Sequence, residues 1–149
     1  MAIFRKLARP LLASTFVSGG LHTLRDPGSV APAAEPVARP VTERIPALPD
    51  QTEKLVRVNG AIQVGAGLLF ATGRFPRLSA LALATTLVPT TLAGHAYWTV
   101  EDPEERAAQR IHFFKNLSML GGLLIAAADT HGKPSLAYRS AARAKSLAP

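Results

Sequence analysis

The sequence predicts an all-α fold, a bundle of four membrane-spanning helices, and three observations predict it. The chain is 48% hydrophobic but only 6% aromatic. Its apolar mass is therefore Leu, Ala, Val and Gly, the mixture found where helices pack closely in lipid. Four segments approach the roughly 20 apolar residues that a span needs. The charges also alternate along the chain, basic connecting segments taking turns with acidic ones. A soluble bundle would need a solvated face on each helix, and residues 117–128, LSMLGGLLIAAA, offer hardly one. The chain is read as a single membrane domain over residues 1–149.

The first span, residues 7–24, reads LARPLLASTFVSGGLHTL. Its basic start, MAIFRKLAR, imitates a secretory signal peptide. The one tempting cleavage site, Ala31-Pro32-Ala33, lies well beyond the apolar stretch, so the span is read as an uncleaved helix. Residues 25–53 form a proline-rich outer loop in which Val30, Ala34, Val37, Val41, Ile45 and Leu48 recur at helical spacing. Pro36 and Pro40 each remove a backbone donor and limit a regular helix. The expectation is a short helix on the outer interface with an extended piece before Asp50, or else a disordered loop. The second span covers residues 54–73, the third 76–98 and the fourth 109–129. Residues 130–149 form a basic tail.

Lys and Arg in short loops set orientation. Arg5, Lys6 and Arg9, then Arg74 and Arg77, then Lys133, Arg139, Arg143 and Lys145 fall on one side of a four-span chain. Asp26, Glu35, Glu43, Asp50 and Glu53, then Glu101, Asp102, Glu104 and Glu105, fall on the other. Both termini of a multi-pass membrane protein are therefore expected in the cytoplasm.

The polar residues inside the spans share a level. Span one carries Ser14, Ser18 and His22 on one face; span two carries Asn59 and Gln63 one turn apart. Span three has Thr90, Thr91 and His95 beyond Pro89, and span four has His112, Lys115 and Asn116. Given the direction of each span, His22 falls near the outer end of span one, and all four helices bring polar groups to the same depth on the outer side. A lysine well inside a span costs about 2.5–3.5 kcal/mol on insertion scales, so Lys115 either snorkels outward or turns into the bundle toward His112, Asn59 and Gln63. Singly, the amides read as interhelical hydrogen-bond glue. As a set, His22, Asn59, Gln63, His95, His112, Lys115 and Asn116 are expected to form a polar, ligand-binding cavity.

Other chemistries are excluded or weak. With no cysteine there are no disulfides, thiol nucleophiles or Cys-held metals. The net charge of +7 is not arranged as a basic stripe interleaved with aromatics, so nucleic acid is not expected as a partner. Gly65-Ala66-Gly67 is packing rather than a phosphate loop, because no strand precedes it and no lysine follows. No glycine-flanked serine elbow occurs, and no metal is expected. Tyr97 and Trp98 read as interfacial aromatics.

The ordered helix signatures RPLLASTFVSGGLHTLRDPG, RVNGAIQVGAGLLFATGRFPRLSALAL, PTTLAGHAYW and RIHFFKNLSMLGGLL resemble the DoxX family of small four-helix bacterial membrane proteins, over about residues 5 to 140. The resemblance implies quinone-linked oxidation within a membrane redox or oxidative-stress complex, with soluble partners of the superoxide dismutase or sulfurtransferase type. It carries no catalytic motif onto particular residues. The leading expectation is a subunit that binds a quinone or similar amphipathic molecule and has no redox centre of its own. The alternative is a scaffold that anchors soluble redox enzymes and binds no ligand. Transport is weaker, because four short helices leave little room for alternating access unless the chain oligomerises.

Overall fold

A computed structural model describes residues 2–45, 48–49 and 51–129; the expected cytoplasmic tail, 130–149, lies outside the described residues. Among them the chain forms α1 (Ala2–Arg25), α2 (Pro27–Arg44), α3 (Thr52–Ala71), α4 (Pro76–Gly94) and α5 (Pro103–Ala128), with a 3-10 turn at Tyr97–Thr99 and no strand. The starts of α2 and α5 follow from local chemistry. Asp26 Oδ1 accepts from the Ser29 N–H at 3.2 Å, and Asp102 Oδ2 from the Glu105 N–H at 2.7 Å. Each cap is followed by a proline whose missing donor costs nothing in a first turn. Glu104 and Glu105 complement the positive end of the α5 dipole. These polar signals start α5 at Pro103, ahead of the apolar run that suggests Gln109.

The outer segment differs from expectation. It is one helix of 18 residues rather than a short one, although it holds Pro32, Pro36 and Pro40. The three prolines stand one turn apart and all are exposed. The carbonyls they deprive of a donor, on Gly28, Pro32 and Pro36, follow the same four-residue spacing along that outer side and can bond to water. Prolines on the outer side also bend a helix so that its other side wraps what lies beneath. That side carries Val30, Ala31, Val37 and Val41 and packs on α3 and α4.

The remaining helices stack in chain order: α1 along α3, α3 beside α4, and α4 beside α5. Where α1 crosses α3 the backbones nearly touch. A Cβ on Gly20 would lie 2.7 Å from the Gly60 carbonyl oxygen, so only glycine permits this approach. The apolar core, including Phe16, Phe70, Leu83, Leu87 and Leu123, fills the half of the bundle nearest the α3–α4 turn. At that end Arg5 grips Asp129 through Nε and Nη2 at 2.8 and 3.1 Å. Arg77 Nε donates to the Ala127 carbonyl at 2.7 Å. The first residues of α1, the α3–α4 turn and the end of α5 thus meet at one basic end. The other acidic residues described lie in α2, in the first turns of α3 and α5, and in the connections at the opposite, acidic end.

The segments Pro76–Thr99 and Pro103–Ala128 are long and apolar enough to cross a bilayer. The core helix of a soluble protein is mostly buried, yet only 17% of the most apolar stretch of α5 is covered. Ile111, Phe114, Leu117, Leu124 and Ile125 instead face outward. A contiguous exposed apolar face of this kind suits contact with lipid.

Candidate functional site

Beyond the core, toward the acidic end, a cavity of about 400 Å³ lies between α1, α3 and α4 and under α2. Apolar side chains form most of its wall: Val30, Val37 and Val41 from α2, Leu55 and Val56 from α3, and Pro89 from α4. Its polar groups are His22 and Thr23 in the last turns of α1, Asn59 and Gln63 on α3, Thr90 on α4 and His95 just past the end of α4. Few polar groups set in an apolar pocket is the usual make-up of a small-molecule site.

The Thr90 hydroxyl is the hub. It donates to the Thr86 carbonyl at 2.8 Å and accepts from Asn59 Nδ2 at 3.1 Å and from Gln63 Nε2 at 3.2 Å. Each of these bonds uses one N–H of a side-chain amide that has two, plus an acceptor oxygen. The two amides therefore join α3 to α4 and also line the cavity.

His95 caps α4 through its backbone N–H, which donates to the Thr91 carbonyl at 2.9 Å. Its ring Nδ1 lies 2.7 Å from Gln109 Oε1. An amide oxygen only accepts, so Nδ1 carries the proton, and in the neutral ring Nε2 is the acceptor. The His95 ring stacks on His112 with centroids 5.1 Å apart and planes inclined by 26°. Lys115 Nζ sits 3.3 Å from His112 Nδ1, where an ammonium can only donate.

The structure brings four of the expected residues, His22, Asn59, Gln63 and His95, into one cavity. It does not bring the other three there. His112 and Lys115 are on the exposed side of α5, with His112 joined to the cavity only through its stack on His95. Asn116 is buried and donates from Nδ2 to Thr91 Oγ1 at 3.0 Å, tying α5 to α4. The reason is rotational. His112, Lys115 and Asn116 are close in sequence, but only Asn116 points at α4. Thr90, at the expected level but outside the expected cavity set, is the centre, and α2 is a wall that the spans alone do not suggest, though Asp26-Pro27 is a helix start. Trp98 packs edge-on against Phe113, centroids 5.6 Å apart, and does not line the cavity. Among the described residues, no three His, Asp or Glu side chains converge in a way that would hold a metal ion.

A family model described as DoxX matches residues 4–96, and one described as the SURF4 family matches residues 54–139. No curated protein and no solved structure matches the chain significantly.

Thr90→Val removes the acceptor shared by two amides while keeping the volume. It should lower stability in mild detergent by about 1–2 kcal/mol, as lost interhelical hydrogen bonds do. Thr85, whose hydroxyl bonds only within α4 at 2.8 Å to the Ala82 carbonyl, supplies the comparison: Thr85→Val should unfold close to the wild type. Thermal unfolding followed by circular dichroism reads both.

Proposed function

The chain belongs to the DoxX family, and we propose that it is a four-span membrane subunit that binds a quinone, or a similar amphipathic molecule, in the cavity beneath α2. The observation that carries this reading is the cavity itself, apolar-walled and provided with Asn59 and Gln63 on one side and His95 on another. A quinone ring presents two carbonyl oxygens at opposite edges, each needing a donor. The second N–H of either amide supplies one. His95 supplies the other from Nε2 when its ring is protonated, since Nδ1 is held by Gln109. His22 at the cavity edge is a further donor. Through its stack on His112, which Lys115 contacts, His95 lies next to polar groups at the exposed surface; an imidazole has a donor and an acceptor on its two nitrogens and can pass a proton between them. With no cysteine, electrons would come from a partner, which the family resemblance implies to be of the superoxide dismutase or sulfurtransferase type.

In this reading α1, α3, α4 and α5 all cross a bacterial plasma membrane. Their lengths of 24, 20, 19 and 26 residues correspond to about 30 Å or more for a 20-residue helix. The charges of α1 and α3 sit toward their ends, Arg5, Lys6, Arg9 and Arg25 on one and Glu53, Lys54 and Arg57 on the other. The basic end faces the cytoplasm by the positive-inside rule, with both termini there and α2 on the outside.

Two experiments test the reading. The chain lacks cysteine, so single substitutions give clean labels. A membrane-impermeant maleimide should label Glu43→Cys on intact cells but reach Arg74→Cys only after lysis; the reverse pattern would invert the orientation. For the ligand, protein purified in mild detergent should yield close to one quinone per chain on solvent extraction. Ala34→Trp, which fills the cavity from α2, should lose it while the fold is kept. Trace quinone at equal levels in both proteins would remove the ligand and favour the scaffold, in which the same amides only join helices.

A further inference from the structure

The cavity beneath α2 has an open side. Along its floor the lining is covered: Val56 and Gln63 of α3 are buried. Of the lining that α2 supplies, Ala33 and Val41 are exposed and the rest is half-buried. On the flanking helices the lining is exposed at Gly19 and His22 of α1 and at Thr90 and Gly94 of α4. Thr90 is the informative residue. Its hydroxyl holds three hydrogen bonds, and its partner Gln63 is only 6% exposed, yet Thr90 itself is exposed. The mouth therefore lies on the α4 side of the amide pair, between α4 and α1.

Packing accounts for the gap. Both α1 and α4 pack on α3 but hardly on each other. Toward the basic end the space between them is filled, because Phe16 of α1 shares a core with Leu83 and Leu87 of α4. About one turn further along α1 stands Gly19, where a Cβ would meet only Gln63 Oε1, at 4.0 Å. On α4, a Cβ at Gly94 would meet nothing within 4 Å. Gly19 is six residues before the end of α1 and Thr90 four before the end of α4, or about 9 and 6 Å inside those ends at 1.5 Å per residue. In a four-span chain that depth falls within the outer half of the hydrocarbon layer. Among the described residues, no Asp, Glu, Lys or Arg lines the cavity, so nothing there calls for a charged ligand.

We propose that the gap between α1 and α4 is a lateral portal into the bilayer, and that the ligand is a neutral ring with a hydrocarbon tail. The ring sits inside at Asn59 and Gln63, and the tail leaves past Gly19 and Gly94. The portal presupposes the quinone-type reading of the cavity and adds to it the ligand's class and its route. The volume agrees with this. About 400 Å³ is near the lower end of the roughly 300–1,000 Å³ of small-molecule pockets, enough for a ring but not for a long tail as well. A tail that stays in lipid keeps its hydrocarbon surroundings, so the ring can enter sideways without the tail crossing water.

The test is calorimetric titration of the full chain in lipid nanodiscs with two quinones of identical head, decylubiquinone and the same dimethoxy-methyl-benzoquinone without its tail. Both should bind the wild type. Gly94→Leu and Gly19→Leu, which narrow the gap, should each weaken decylubiquinone at least tenfold and change the tailless head less than twofold. Equal losses of the two quinones, no loss of either, or a wild type that binds only the tailless head would overturn the portal and leave the cavity reading in place. A wild type that binds neither removes the cavity reading and the portal with it. If Gly19→Leu does not fold, Gly94→Leu decides, since its added Cβ stands in open space. The route is also read in the wild type. A diazirine on the last carbon of the decyl chain should cross-link to α1 or α4; cross-links confined to α2 would put the exit at the roof and equally overturn the portal.

Discussion

The hydroxyl of Thr90 holds the site half of this molecule together. A side-chain amide packed between helices, away from water, costs several kcal/mol if its polar atoms are left unmet. Asn59 and Gln63 therefore need a partner on a neighbouring helix, and both find it in one oxygen, at 3.1 and 3.2 Å. That shared bond sets the register of α3 against α4. It also marks the level where the packing changes character. On its basic side Phe70, Leu83 and Leu123 are fully buried in the core; on its acidic side the helices separate around the cavity.

The cavity persists because α2 roofs it without filling it. The helix lays valines and alanines over the opening, residues too short to reach the floor. Its prolines put the carbonyls that lack donors on the wet side, so a segment that looks broken by sequence rules is a continuous helix. Thr52 on α3 donates to Glu35, pinning the middle of the roof near the start of α3. Glue and cavity, rival readings of the same amides, are compatible here. A side-chain amide has more donors and acceptors than one interhelical bond consumes.

Depth along a helix is legible in sequence, whereas rotation about its axis is not. Residues 54–73, 76–98 and 109–129 lie largely within α3, α4 and α5, and the common level of His22, Asn59, Gln63 and His95 follows from counting along each span. Which side each residue faces depends on neighbours that counting does not reveal. Lys115 and Asn116 are adjacent, yet one meets solvent-side His112 and the other meets Thr91 inside. The lysine thus stands outside the cavity. The length of α2 was hidden for a different reason: a proline's cost depends on whether the carbonyl it deprives is exposed, which only the folded chain decides. The early start of α5 was readable, since Asp102-Pro103-Glu104-Glu105 is a helix start in its own right, but apolar periodicity passes over it.

The central claim is that the space beneath α2 takes an amphipathic ring, and the cysteine-free chain allows a direct measurement. Ala93 lines the cavity from α4. In Ala93→Cys, the rate of alkylation by a small maleimide should fall at least tenfold when a short-chain quinone such as decylubiquinone is added, and should recover when it is washed out. An alkylation rate that the quinone leaves unchanged, at concentrations that saturate known quinone sites, would contradict the account.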